Sequence, residues 1–135
     1  MNYVFQTDAY FEGIPKNKSA SMFVLREMIF DVFPNVKELM HEGIPTYIYK
    51  GKILCALAYY TKYMVLYVKS HDLLLEFETE LENYNWHRSS IRFNTIENED
   101  ILFFERMLYF VGTNYDKSGY TTKMSYPKVL EETLL

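Results

Sequence analysis

The stretch HEGIPTYIYKGKILCALAYYTKYMVLYVKS, residues 41–70, decides the fold. Three short apolar and aromatic runs stand close together, separated by turn residues. The run 46–50 alternates around Tyr47 and Tyr49. Lys50-Gly51-Lys52 is a hairpin signal, because glycine readily takes the positive φ that a tight turn needs. The run 53–60 is almost continuously apolar, which predicts a central strand covered on both sides. Thr61-Lys62 is the next turn. In 63–69, Met64, Leu66 and Val68 share one face, and Tyr63, Val65 and Tyr67 share the other. At the entry, Pro45 holds Ile44 in an extended conformation.

Helical segments flank this sheet. Residues 1–15 read as an N-terminal arm with one short helix, capped by Thr7 or Asp8 and ended by Gly13 and Pro15. A long helix is predicted over 17–33, with Met22, Leu25, Ile29 and Val32 on one face. Phe23, Phe30 and Phe33 widen that face, whereas Arg26, Glu27 and Asp31 point mostly away from it. Pro34 and Asn35 stop the helix, and 35–40 reads either as a helical turn or as the lead-in to a strand. A second helix is expected over 72–84, with Leu74, Phe77, Leu81 and Tyr84 as its buried stripe. A loop over 85–88 leads to a short strand over 89–94. The last helix starts at an Asn98 cap, buries Ile101, Phe104, Leu108 and Val111, and stops at Gly112. The fold class is α+β: an antiparallel sheet of about four or more strands, with helices packed mainly on one face. Residues 1–112 form one domain. Residues 113–135 lose the regular pattern and read as an extension packing on the domain or on a partner.

Composition narrows the function classes. At 135 residues the chain is long enough for a single core without staples. Its net charge of −4 argues against nucleic-acid binding by bulk electrostatics. One cysteine, Cys55, rules out an internal disulfide and a cysteine-rich zinc site. The N-terminus lacks the basic start and apolar run of a signal peptide, and lysines interrupt every long apolar stretch. The expectation is a soluble, cytoplasmic protein with no membrane partner. No Ser/His/Asp set, phosphate loop, His-Glu-x-x-His motif or glycine-rich cofactor turn is present, so catalysis is not expected and no cofactor is required.

The element order and several short motifs resemble a known family. They are Leu25-Arg26 in the first long helix, Glu42-Gly43-Ile44-Pro45-Thr46-Tyr47, Lys50-Gly51-Lys52, and Ser90-Ile91-Arg92-Phe93 before the last helix. Over residues 8–111 they are similar to the YdhG-like family, the DUF1801 domain. That resemblance implies a small α+β domain. Some members are described as frataxin-like intracellular iron chaperones, so it also implies iron as a cargo. Two departures are visible: Arg88-Ser89 stands where the family often has Lys-Gly, and the C-terminal stretch runs past the usual end.

For iron, oxygen ligands are needed. Asp72, Glu76 and Glu80 follow one another at i, i+4 and form the candidate metal ridge, with His71 beside it; the alternative is a solvated helix face. Glu97, Glu99 and Asp100 read most simply as acids complementing a helix N-terminus. The ligand-binding candidates are His41 and Glu42 at the sheet entry, the tyrosines Tyr47, Tyr49 and Tyr67, and Arg92. His41-Glu42 suits a ligand or base role, or else a structural histidine at a strand end. Arg92, near Trp86, suits an anionic partner or an internal ion pair. The tyrosine face reads as core, as a pocket for a small anionic or aromatic molecule, or as a homodimer surface shared with the C-terminal stretch.

Overall fold

Left-handed turns set the order of the strands. Glu42 and Gly43 have φ of 53° and 82°, and Lys50 and Gly51 have φ of 52° and 79°. Two successive positive-φ residues give the turn whose twist matches antiparallel strands. They join β1 (Lys37–His41) to β2 (Ile44–Tyr49) and β2 to β3 (Lys52–Tyr59). The computed structural model describes residues 3–69 and 71–115. After β4 (Met64–Val68) the chain passes through helical turns, returns at the far edge as β5 (Asn85–His87), and turns inward as β6 (Ser90–Phe93). The sheet is antiparallel throughout, in the order β1-β2-β3-β4-β6-β5.

This is the expected α+β architecture with more strands. The segment 35–40 is a strand lead-in, not a helical turn. The 85–88 loop contains β5, and Arg88 makes its turn at φ 55°, a conformation that glycine adopts more easily. Gly43 has open space where a Cβ would stand. Its substitution therefore isolates the cost of the left-handed backbone. Gly43→Ala is expected to lose about 1 kcal/mol of stability in urea denaturation, and an unchanged midpoint would contradict this.

The helices cover one face. Helices α1 (Tyr3–Glu12), α2 (Lys16–Val32) and α5 (Asn98–Thr113) supply Phe11, Met22, Leu25, Ile29, Phe104 and Leu108 to a core shared with Tyr47, Leu57, Leu66 and Ile91 of the sheet. Thr7 and Asp8 lie within α1 and do not cap it. Glu97, not Asn98, caps α5, in a reciprocal capping box with Asp100. Gly112 does not end α5, which continues to Thr113. The helix expected over 72–84 is broken into α3 (His71–Leu74), a 3-10 turn (Leu75–Phe77) and α4 (Glu78–Leu81). Its stripe still packs inward, with Leu74 and Leu81 buried and Phe77 and Tyr84 partly so. Across the break the stripe still meets α5, with the Phe77 and Tyr84 rings 5.9 and 5.3 Å from the Phe103 ring. Of the stretch 113–135, residues 116–135 lie outside the described residues. Among the described residues, no helix is long and apolar enough to cross a membrane.

The opposite face of the sheet is also apolar. Leu39, Ile48, Ile53, Ala56, Ala58 and Val65 are at most 7% exposed. None of them belongs to the core cluster under the helices.

Candidate ligand cleft on the sheet

Register decides which side chains meet. Tyr47, Cys55 and Val68 are paired across β2, β3 and β4, and so are Thr46, Ala56 and Tyr67. Side chains in one cross-strand row share a face, and the next row takes the other. Tyr47 and Tyr67 therefore lie on opposite sides of the sheet. A bulge between the Tyr47 and Ile48 pairings shifts the phase of β3. It turns Leu54 and Cys55 both toward the helical core.

On the helix side, Tyr47 belongs to a polar network. Its hydroxyl donates to Glu38 Oε2 at 2.7 Å. Arg26 donates to both oxygens of the same carboxylate, at 2.8 and 2.6 Å, and to Asp8 at 2.7 Å. Its guanidinium also lies over the Phe11 ring at 4.5 Å. Burial, then the charge of Glu38 and the hydrogen bond to it, raises the Tyr47 hydroxyl above the usual phenol range. Arg26, expected to point away from the core, is instead the hub that joins α1, α2 and β1. Its side chain is only 16% exposed. Tyr49 stacks on Phe33, with ring centroids 4.0 Å apart. Among the described residues, the groove beside this network is lined by Phe23, Arg26, Glu27, Phe30, Asp31 and Glu38, and the Arg26 cation there is already held by carboxylates.

The other side carries a cleft of about 570 Å³, within the range usual for small-molecule sites, roughly 300–1,000 Å³. Thr46, Ala56 and Tyr67 cross its middle. His41, Glu42, Ile44 and Tyr60 stand at one end, and Ile53, Lys69 and Ser89 at the other. Tyr60 and Tyr67 hydroxyls are hydrogen-bonded at 3.1 Å. Burial of the Tyr67 hydroxyl, then that bond, pushes its pKa up to about 12, so it stays a neutral phenol. Tyr60 packs on Tyr63 at 5.4 Å, and Arg92 lies over the Tyr63 ring at 4.6 Å. These contacts stiffen the Tyr60 rim. His41 Nε2 is 3.9 Å from Glu42 Oε1, an ion pair only when the imidazole is protonated. The Glu42 side chain is 84% exposed.

Of the ligand candidates, His41, Glu42 and Tyr67 come together in this cleft. Tyr47 and Tyr49 lie under the helices, and Arg92 stacks on Tyr63 without lining it. Tyr60, Lys69, Thr46 and Ala56 complete the site. Cys55 lines it along with Val68, but both belong to the core on the helix side. Burial raises the Cys55 thiol, so the thiolate is disfavoured. The metal candidates lie elsewhere. Asp72 is in α3, Glu76 in the 3-10 turn and Glu80 in α4, so they do not form one regular helical ridge. Arg106 donates to both Glu80 oxygens, at 3.3 and 2.6 Å, and holds its carboxyl below the usual range. Among the described residues, no three His, Cys, Asp or Glu side chains are grouped to hold a metal ion.

A solved protein of the DUF1801 family, YdhG from Bacillus subtilis, superposes with a TM-score of 0.69 over 86% of this chain and 94% of its own. The chain has the YdhG-like DUF1801 fold. Sequence identity to YdhG is 16%, so the likeness is one of fold. No protein-family model matches the chain, and neither does any curated protein. The motifs that resemble the DUF1801 family are structural devices here. Arg26 anchors the polar network, Glu42-Gly43 and Lys50-Gly51 make the two left-handed turns, and Ser90–Phe93 is β6.

Proposed function

We propose that this chain is a binding module that holds a small molecule against the face of its sheet opposite the helices and performs no chemistry on it. One observation carries the reading. The 570 Å³ cleft joins an apolar floor to a few convergent polar groups: His41, Glu42, Thr46, the Tyr60–Tyr67 pair and Lys69. Apolar floors supply affinity, and a small number of placed polar groups supply orientation. Among the described residues that line the cleft, His41 Nε2 stands 3.9 Å from Glu42 Oε1, beyond the hydrogen-bond reach that would orient it as a base. An iron-chaperone role, implied by the family resemblance for some members, has less behind it, because Arg106 already occupies Glu80 and the other two acids sit on different helical pieces.

The test is a screen of the purified protein against small molecules of mixed charge, read by amide chemical shifts. Binding is expected to move the Thr46, Ala56 and Tyr67 amides and to leave those of α3 and α4 in place. Compounds that bind but shift only other regions would refute the cleft reading. Ferrous iron that shifts the amides around Asp72, Glu76 and Glu80 would favour the chaperone role.

A further inference from the structure

The sheet face opposite the helices is closed to water. β1 is an edge strand, so Leu39 has a cross-strand neighbour on one side only, Thr46. Leu39 is nevertheless 2% exposed, as is Ile48 on β2, and Val65 on β4 is 1% exposed. Cross-strand neighbours shield the flanks of a side chain standing up from a sheet. Its outer end is shielded only by a second layer, packed about 10 Å above. On the other face α1, α2 and α5 supply that layer through Phe11, Met22, Leu25 and Phe104. Leu39, Ile48, Ala58 and Val65 are not part of that cluster. These exposures are those of one chain, so the chain itself supplies the cover.

We propose that the C-terminal segment, residues 116–135, docks on this face of its own chain. Length singles it out. Outside the described residues the chain has Met1, Asn2, Ser70 and this segment of 20 residues. From β1 to β4 the face is about 14 Å across, three strand spacings of about 4.8 Å. The segment is long enough to cross it whether extended, at about 3.3 Å per residue, or helical, at about 1.5 Å.

The chain also arrives at the right place. α5 ends at Thr113, and Tyr115 is buried within the core under the helices. The Tyr115 hydroxyl donates to the carbonyl of Ile53 near the start of β3, and Lys52 lies over its ring at 5.9 Å. Ile53 pairs with Ile48 and belongs to the opposite face. Residue 116 therefore starts at the rim where the two faces meet, beside the β2–β3 turn. Composition fits the surface as well. Met124, Val129, Leu130, Leu134 and Leu135 are apolar, and burying them against Leu39, Ile48 and Val65 removes both sets from water. The inference stands apart from the binding-module reading, because Leu39, Ile48, Ala58 and Val65 are not among the side chains that line the cleft.

The test is methyl NOE spectroscopy on the full chain, with Ile, Leu, Val and Met methyls labelled. Cross-peaks are expected from Met124, Leu130 or Leu134 to Leu39, Ile48 and Val65; their absence would overturn the proposal. A mixture of labelled and unlabelled protein, read through an isotope filter, is expected to show no such peaks between copies. Peaks there would assign the face to a second copy and overturn docking within the chain. The double variant Leu130→Asp, Leu134→Asp is expected to lower the urea midpoint and to raise the fluorescence of bound anilinonaphthalene sulfonate severalfold, as the apolar face opens. A variant that keeps the parent's midpoint and dye fluorescence would contradict the docking. If the variant does not fold, the methyl cross-peaks of the unaltered chain decide. The small-molecule screen reads Thr46, Ala56 and Tyr67, so either reading can fail without the other.

Discussion

Arg26→Met is expected to lower the free energy of unfolding by about 3–5 kcal/mol, the cost of stranding a buried ion-pair partner. The partner is Glu38, whose side chain is 5% exposed. In the native protein its carboxylate accepts two hydrogen bonds from Arg26 and one from Tyr47. Methionine preserves much of the stem volume but removes all charge compensation. Tyr47 alone then faces a carboxylate that water reaches poorly. Asp8, 45% exposed, recovers solvation and adds little to the loss. The double variant Arg26→Met, Glu38→Leu is expected to be more stable than Arg26→Met alone, because a buried pair replaced on both sides leaves no orphaned charge. Urea denaturation of the two single variants and the double variant measures the coupling. An Arg26→Met protein within about 0.5 kcal/mol of the parent, the range of ordinary surface changes, would contradict the buried-network reading.

Gly112→Ala pits two effects against each other, and their magnitudes predict the sign. Alanine is the better helix former by about 1 kcal/mol. Its Cβ, however, would stand 2.5 and 2.6 Å from ring atoms of Phe33. That ring cannot simply withdraw. It is buried and stacked on Tyr49 at 4.0 Å, with Tyr109 parallel to it at 5.9 Å. Overpacking a filled core costs about 1–3 kcal/mol. The upper part of that range exceeds the helical gain, so a net loss of up to about 2 kcal/mol is expected in thermal or urea unfolding. Pairing the substitution with Phe33→Leu frees space at the contact and should return part of the loss. A Gly112→Ala protein more stable than the parent would mean that the Phe33 stack gives way freely.

The strands with clear turns are legible in the sequence. Lys50-Gly51 identified the β2–β3 hairpin, and the alternation of Met64, Leu66 and Val68 identified β4. Two strands were harder. β1 is short and mixes charge with apolar residues, because Glu38 points into the core carrying its own partner. β5 is three residues long and reads as a loop until β6 pairs with it. The break in the helix over 71–81 is hidden because the apolar spacing of Leu74, Phe77 and Leu81 fits an unbroken α-helix equally well.

The site was legible only in part. His41, Glu42 and Tyr67 were marked by residue type, and the cleft gathers all three. Tyr47 and Tyr49 carry the same chemical signal as Tyr67. Nothing in a strand apolar on both faces says which face a tyrosine takes. The Tyr47–Cys55–Val68 and Thr46–Ala56–Tyr67 rows settle it. Lys69 and Ala56 gave no signal, since a lysine at a strand end and an alanine in an apolar run are ordinary.

By itself, the sequence determined the local geometry: where glycine permits a left-handed turn, where proline ends a helix, and which runs bury an apolar surface. These depend on each residue and its near neighbours. The tertiary structure alone decided which residues meet. Cross-strand register and the bulge at β3 send two tyrosines to opposite faces, and the approach of α2 to β1 turns Arg26 from a surface cation into a buried hub. Both depend on contacts between residues far apart in the chain, whose energies no local pattern records.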